Sequence, residues 1–191
     1  MGLCASQEEG TGAKVGVSGS STIFDGCPMV ADGTQKGYTL LIIDPQEDFH
    51  PPNGSLGVAG AIEDSQRIIG LIERLGDKLD RIVVTLDSHH RTHIAHAASW
   101  SDAEGNSPAF GTIIEHKDVV AGKWMPRQAS KEWALEYTEK LEAGGRFKLQ
   151  IWPYHCIIGT PGHSVYAPLQ VALDDWAIRR AKCIQYLCKG R

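Results

Sequence analysis

With 191 residues, 42% hydrophobic and 22% charged, the chain can bury the core of one globular domain. A formal charge of -4 and a pI near 6.0 offer no electrostatic footing for nucleic acid. No apolar run reaches the roughly 18 residues of a membrane-spanning helix, and the five cysteines, an odd number with no Cys-x-x-Cys pair, suit a reducing compartment.

Residues 1–37 are rich in Gly and Ser and show no sustained period, so a disordered arm is expected there. The arm begins Met1-Gly2-Leu3-Cys4-Ala5-Ser6, which fits N-myristoylation of Gly2 with Cys4 placed for palmitoylation. Chance occurrence in a Gly/Ser-rich start is an equal reading. One acyl chain holds a membrane marginally and two hold it stably. No apolar h-region follows, so no secretory signal is expected. The expected location is the cytoplasm, or the cytoplasmic face of a membrane where the acyl sites are used.

The folded domain is expected over 38–191. The β-branched, apolar run Thr39-Leu40-Leu41-Ile42-Ile43 reads as a strand covered on both faces, ending in Asp44-Pro45-Gln46-Glu47-Asp48-Phe49. Apolar positions from Ile62 to Leu79 lie mostly at helical spacing, with Gly76 loosening or ending the helix. A second buried strand, 81–86, runs into Asp87-Ser88-His89-His90.

Residues 90 to about 128 carry no strong period and read as an insertion, of the length often used for a lid or binding loop. Ser130 is a good N-cap for a helix that Gly144-Gly145 closes. Phe147 to Trp152 reads as a third buried strand, delivering His155 and Cys156 to a loop punctuated by Gly159, Pro161 and Gly162. A helix from about 164 to 180 and a strand over 184–188 follow, with Cys183 and Cys188 expected in the core. Alternation of strand and helix predicts a parallel sheet with helices on its faces.

Strand ends of such a sheet hold ligands. Asp87 and His89 follow one strand and His155 another; two imidazoles and a carboxylate suit zinc, iron or manganese with open positions. The bland alternative is a solvated polar loop with His89, His90, His93 and His96 in it; His93 or His96 would serve as a supporting partner of the metal ligands. Asp44 ends a buried strand and needs a cation, for which Lys189 is the candidate; a capping Asp and a solvated terminal Lys are as good a reading. Cys156 is either a thiol activated by the metal or a small packing residue, with packing the commoner role.

Taken together, Asp44-x-Gln46-x-Asp48-Phe49, Asp87-x-His89 and Trp152-Pro153-x-His155-Cys156-x-x-Gly159-Thr160-Pro161-Gly162 resemble the isochorismatase-like cysteine hydrolases, nicotinamidase branch, over about 38–191. The resemblance implies a three-layer α/β/α Rossmann-like fold, incomplete at the carboxyl end. It implies Asp44 as base with Lys189, a metal on Asp87, His89 and His155, and Phe49 and Trp152 lining a pocket for a flat aromatic amide such as nicotinamide, hydrolysed to nicotinate and ammonia. The family's nucleophilic Cys follows a later strand, beyond the lysine, and this chain ends at Arg191. Two readings follow: the amino-terminal part of a hydrolase, or an inactive metal- or ligand-binding module tethered through Gly2 and Cys4. A sheet ending on its newest strand leaves an edge and an apolar face open, so poor solubility or homo-oligomerisation is expected.

Overall fold

The computed structural model describes residues 37–145 and 147–190. The expected arm, with Gly2 and Cys4, lies outside the described residues. In chain order the elements are β1 (Tyr38–Ile43), α1 (Ala61–Leu75), β2 (Leu79–Asp87), β3 (Trp100–Ser101), β4 (Ile113–Ile114), α2 (His116–Val120), β5 (Met125–Pro126), α3 (Lys131–Ala143), β6 (Leu149–Gln150), α4 (Ala167–Arg180) and β7 (Gln185–Lys189).

Runs of β-branched and apolar residues put β1, β2 and β7 into one parallel sheet, in the order β1-β2-β7. The register sets Ile43 beside Thr85 and Asp87 beside Lys189, so the carboxyl ends of all three strands finish together. Helices α1 and α4 pack on each other and on one face of the sheet. Ile42, Ile82, Val84 and Leu86 from the strands meet Ile72, Leu169, Leu173 and Trp176 from the helices there. Helix α1 stops at Leu75, and the Gly76 carbonyl that follows accepts from the Leu79 N–H and, at 3.0 Å, from the Trp176 indole N–H. The second bond satisfies a buried indole donor.

The α/β parallel sheet is present, but among the described residues only one of its faces carries helices. Alternate side chains of the edge strands point away from that core, leaving Leu41 54%, Ile43 67% and Leu187 54% exposed. Cys183, in the loop before β7, and Cys188, on that edge strand, are exposed rather than in the core.

The strand expected over Phe147 to Trp152 is corrected. Only Leu149–Gln150 is extended and paired, antiparallel to Ile113–Ile114, in a separate two-stranded sheet. Leu149 and Ile151 are buried, as their apolarity requires, but against Trp100, Ile114, Val119 and Ala134. Residues 90–128 and α3 thus build a second core around that segment. An apolar run announces burial without naming the surface that buries it. Helix α3 begins as expected, with the Ser130 hydroxyl accepting from Trp133 N–H at 3.1 Å.

Replacing Trp176 with Ala removes both the packing and the bond to Gly76, and should lower stability by about 3–5 kcal/mol in urea denaturation; a loss below about 1 kcal/mol contradicts its central place. The open sheet face should make the chain associate with rising concentration in sedimentation velocity, and Leu41→Lys with Leu187→Lys should shift it toward monomer. Sedimentation unchanged by the double substitution removes that face as the cause.

Candidate functional site

Asp87 is the last residue of β2 and Lys189 the last of β7, paired across the ladder. Asp44 follows β1 directly and turns the chain out of the strand with a φ of 51, a left-handed conformation that Asp tolerates better than most side chains. Its N–H is tied to the Thr85 carbonyl at 3.1 Å, and the Thr85 hydroxyl donates to the Asp44 carboxylate at 2.7 Å. Lys189 Nζ then lies 2.7 Å from Asp44 Oδ2 and 3.3 Å from Asp87 Oδ1. Burial would lower the lysine pKa, but its bond to Asp44 and the charge of Asp87 outweigh that and hold it above its ordinary value.

Donor atoms of Asp87, His89 and His155 lie within 4.8 Å of one another. His89 Nε2 is 2.8 Å and His155 Nε2 3.3 Å from Asp87 Oδ2. His155 reaches this point by a backbone stitch, not from a strand of the parallel sheet. His89 N–H donates to the Cys156 carbonyl and Ile158 N–H to the His89 carbonyl, both at 3.0 Å. The donor set can be tested for a metal on its tautomers. His89 Nδ1 faces the Gly190 carbonyl at 2.9 Å and His155 Nδ1 the Pro153 carbonyl at 2.8 Å. Carbonyls only accept, so both Nδ1 atoms carry protons; both Nε2 atoms are aimed at Asp87, donating to its carboxylate when the rings are protonated and offering lone pairs to an ion when they are neutral. That arrangement could hold a divalent ion with positions to spare. Gly190 is required here, since its φ is +78 and a Cβ on it would stand 2.8 Å from Asp87 Oδ1.

Burial works to raise the Asp87 pKa, but bonds from His155 and His89, and the charges of His89 and Lys189, hold it well below the usual carboxylate range. His155 is lowered by burial and raised, in net, by the bond to Asp87. Beside them His93 is pushed down to about 4, first by burial and then by its neighbours His89 and His96.

Two positions in the first motif have roles that spacing did not assign. Gln46 is fully buried, and its side-chain amide donates to the Asp87 and His163 carbonyls at 2.8 and 2.9 Å while accepting from Asp87 N–H at 2.7 Å. Asp48 accepts from Cys156 N–H at 2.6 Å and Ser55 N–H at 3.2 Å. A Cβ on Gly162 would collide with that carboxylate. The only signal for either was position within a motif shared with a family.

Cys156 is fully buried, and burial, then the charges of Asp87, Asp48 and Asp44, push its thiol far above the ordinary range. That environment suits the packing role and disfavours a thiolate at this position. The Phe49 and Trp152 rings lie 5.8 and 6.5 Å from His155, flanking it. A cavity of about 580 Å³ opens on the other side of Asp48, lined by Pro161, Val165 and Gln170, and contains none of the imidazoles. The chemistry of the donors, not cavity size, locates the site.

No family model matches the sequence. The chain is 30% identical over 141 residues to the nicotinamidase of Acinetobacter baylyi, covering 74% of this chain and 48% of that protein. It is 29% identical over 124 residues to the nicotinamidase of Saccharomyces cerevisiae, covering 65% and 46%. The crystal structure of the yeast nicotinamidase Pnc1p aligns with a TM-score of 0.49 at 24% identity, over 80% of this chain and 56% of that one. In sequence the chain is similar to nicotinamidases, and it spans about half the length of the curated relatives it matches.

A His held at about 4 in the fold and free to return to 6.5 when unfolded binds its proton more readily in the unfolded chain. Stability should therefore rise with pH between those two values and be fully present above 6.5. Thermal melts of metal-stripped protein should show that rise, and His93→Gln should flatten it; an unchanged slope in the variant assigns the dependence to other groups.

Proposed function

We propose that this chain carries the metal-holding and proton-handling part of a nicotinamidase-type amidohydrolase, acting on nicotinamide or a related flat aromatic amide to release ammonia. The observation behind this is the meeting of Asp87, His89 and His155 with the Asp44–Lys189 pair at the ends of three parallel strands.

In this reading Asp87 with the two Nε2 atoms holds a divalent ion, zinc best suiting the donors and iron or manganese also compatible. When bound, such an ion orients and polarises the substrate through its water. Asp44, held by the Thr85 hydroxyl and Lys189, would take the proton of the attacking thiol that such hydrolases use, a group that neither Cys156 nor Cys188 is placed to supply. The proton passes to the departing amine, which leaves as ammonia, and water then cleaves the thioester to acid and thiol. Phe49 and Trp152 flank the aromatic ring of the substrate.

A second reading is a metal- or ligand-binding module without turnover, attached to a membrane through Gly2 and Cys4. It is favoured by the placement of Cys156 and Cys188. Cys156 is buried and far from ionising. Cys188 alternates with Lys189 along β7 and so points to the other face of the sheet. No helix among the described residues is long and apolar enough to cross a membrane.

Metal content, nicotinamide binding and ammonia release, measured together on the purified chain, separate the two. Metal with ammonia release, alone or on addition of a small thiol, supports the hydrolase, and metal with bound nicotinamide but no release even with added thiol supports the binding module. Asp87→Ala should lose at least about 10-fold in metal affinity; metal content equal to that of the parent chain would sink the assigned site.

A further inference from the structure

His96 belongs to the same imidazole cluster and is one of the two histidines whose spacing suits a supporting partner of the metal ligands. Its ring is 1% exposed. Nδ1 sits 3.1 Å from the His90 carbonyl oxygen, which can only accept, so Nδ1 carries the ring proton and Nε2 presents a bare lone pair. That Nε2 is buried and has no hydrogen-bond partner. Buried polar atoms are nearly always paired, and an unpaired one asks for a missing donor.

The surrounding side chains do not supply it. Ring centroids of His89, His93, His155 and Tyr154 stand 5.5, 5.5, 6.0 and 5.0 Å from that of His96. The Nδ1 protons of His89 and His155 are committed to Gly190 and Pro153, and their Nε2 atoms face Asp87. His93 Nδ1 is an acceptor for Ala95 N–H at 3.2 Å. The donor atoms gathered within 4.8 Å of one another belong to Asp87, His89 and His155, and His96 stands outside that set.

We infer that His96 Nε2 accepts a hydrogen bond from a water carried by the metal ion on Asp87, His89 and His155, which makes His96 a positioning residue of the metal site. This rests on the metal reading above. A divalent ion polarises the O–H bonds of its water, so that water is a strong donor. A neutral imidazole with its lone pair turned inward is the matching acceptor. Through it the open position of the ion is fixed in space, although His96 touches neither ion nor substrate.

Labelling histidine nitrogens in the full chain and adding a magnetically active cadmium isotope tests this directly by NMR. His89 and His155 Nε2 should couple to cadmium. His96 Nε2 should show no coupling, while its resonance moves in the direction of a hydrogen-bonded acceptor. Coupling at His89 and His155 with an unmoved His96 overturns the inference and leaves the metal site intact. Coupling at His96 itself also overturns it, since that nitrogen would be a direct ligand. Absence of coupling at His89 and His155 removes the metal reading and this inference with it. Independently, His96→Phe should weaken zinc binding about tenfold in chelator competition, and His96→Gln, whose amide oxygen can accept, should recover most of it. Zinc affinity equal to that of the parent in a folded His96→Phe overturns the assignment.

Discussion

A single ammonium group between two carboxylates joins the sheet to its chemistry. Lys189 Nζ touches Asp44 and Asp87, and these three residues finish or follow the three strands of the parallel sheet. The lysine side chain is 48% exposed, so the pairs contribute modestly to stability. Their effect is on charge. Without the cation, Asp44 and Asp87 would stand at neighbouring strand ends as two partly desolvated like charges. With it, that repulsion is offset at both strand ends at once.

Around that triad the backbone is held by side chains that do no chemistry themselves. A strand end leaves peptide groups unpaired, and Gln46 meets both the N–H and the carbonyl of Asp87 with one neutral amide. Asp48 does the same for the turn that carries His155, capturing the Cys156 N–H. One motif after β1 therefore sets the position of ligands that arrive from β2 and from the loop after β6. This explains how three distant stretches of chain can converge to within a few ångströms.

Much of this was legible beforehand, and the failures have one cause. Strands β1, β2 and β7, the stop at Gly76 and the Ser130 cap all follow from local propensity and turn chemistry, which act over a few residues. His89 and His155 meet beside Asp87 even though the stretch before His155 belongs to another core. The loop itself bridges to His89, so the ligand arrives by a route that periodicity does not describe. What periodicity misses is the identity of a partner surface. It could not show that Leu149 and Ile151 pack on the 90–128 segment, that Leu41 and Ile43 face outward, or that Gln46 and Asp48 act on backbone atoms far away in sequence.

The bond from His89 Nδ1 to the Gly190 carbonyl has a mechanical consequence. It fastens the far end of an edge strand, paired on one side only, to an imidazole that an ion would immobilise. Ligand binding to the native state alone adds about 2.7 kcal/mol at a hundredfold excess over its dissociation constant. Here that energy is delivered at the last rung of β7, the rung most prone to fray. Amide protons of Leu187 and Cys188 thus become a gauge of occupancy, their exchange with solvent slowing as the ion clamps the end of the ladder.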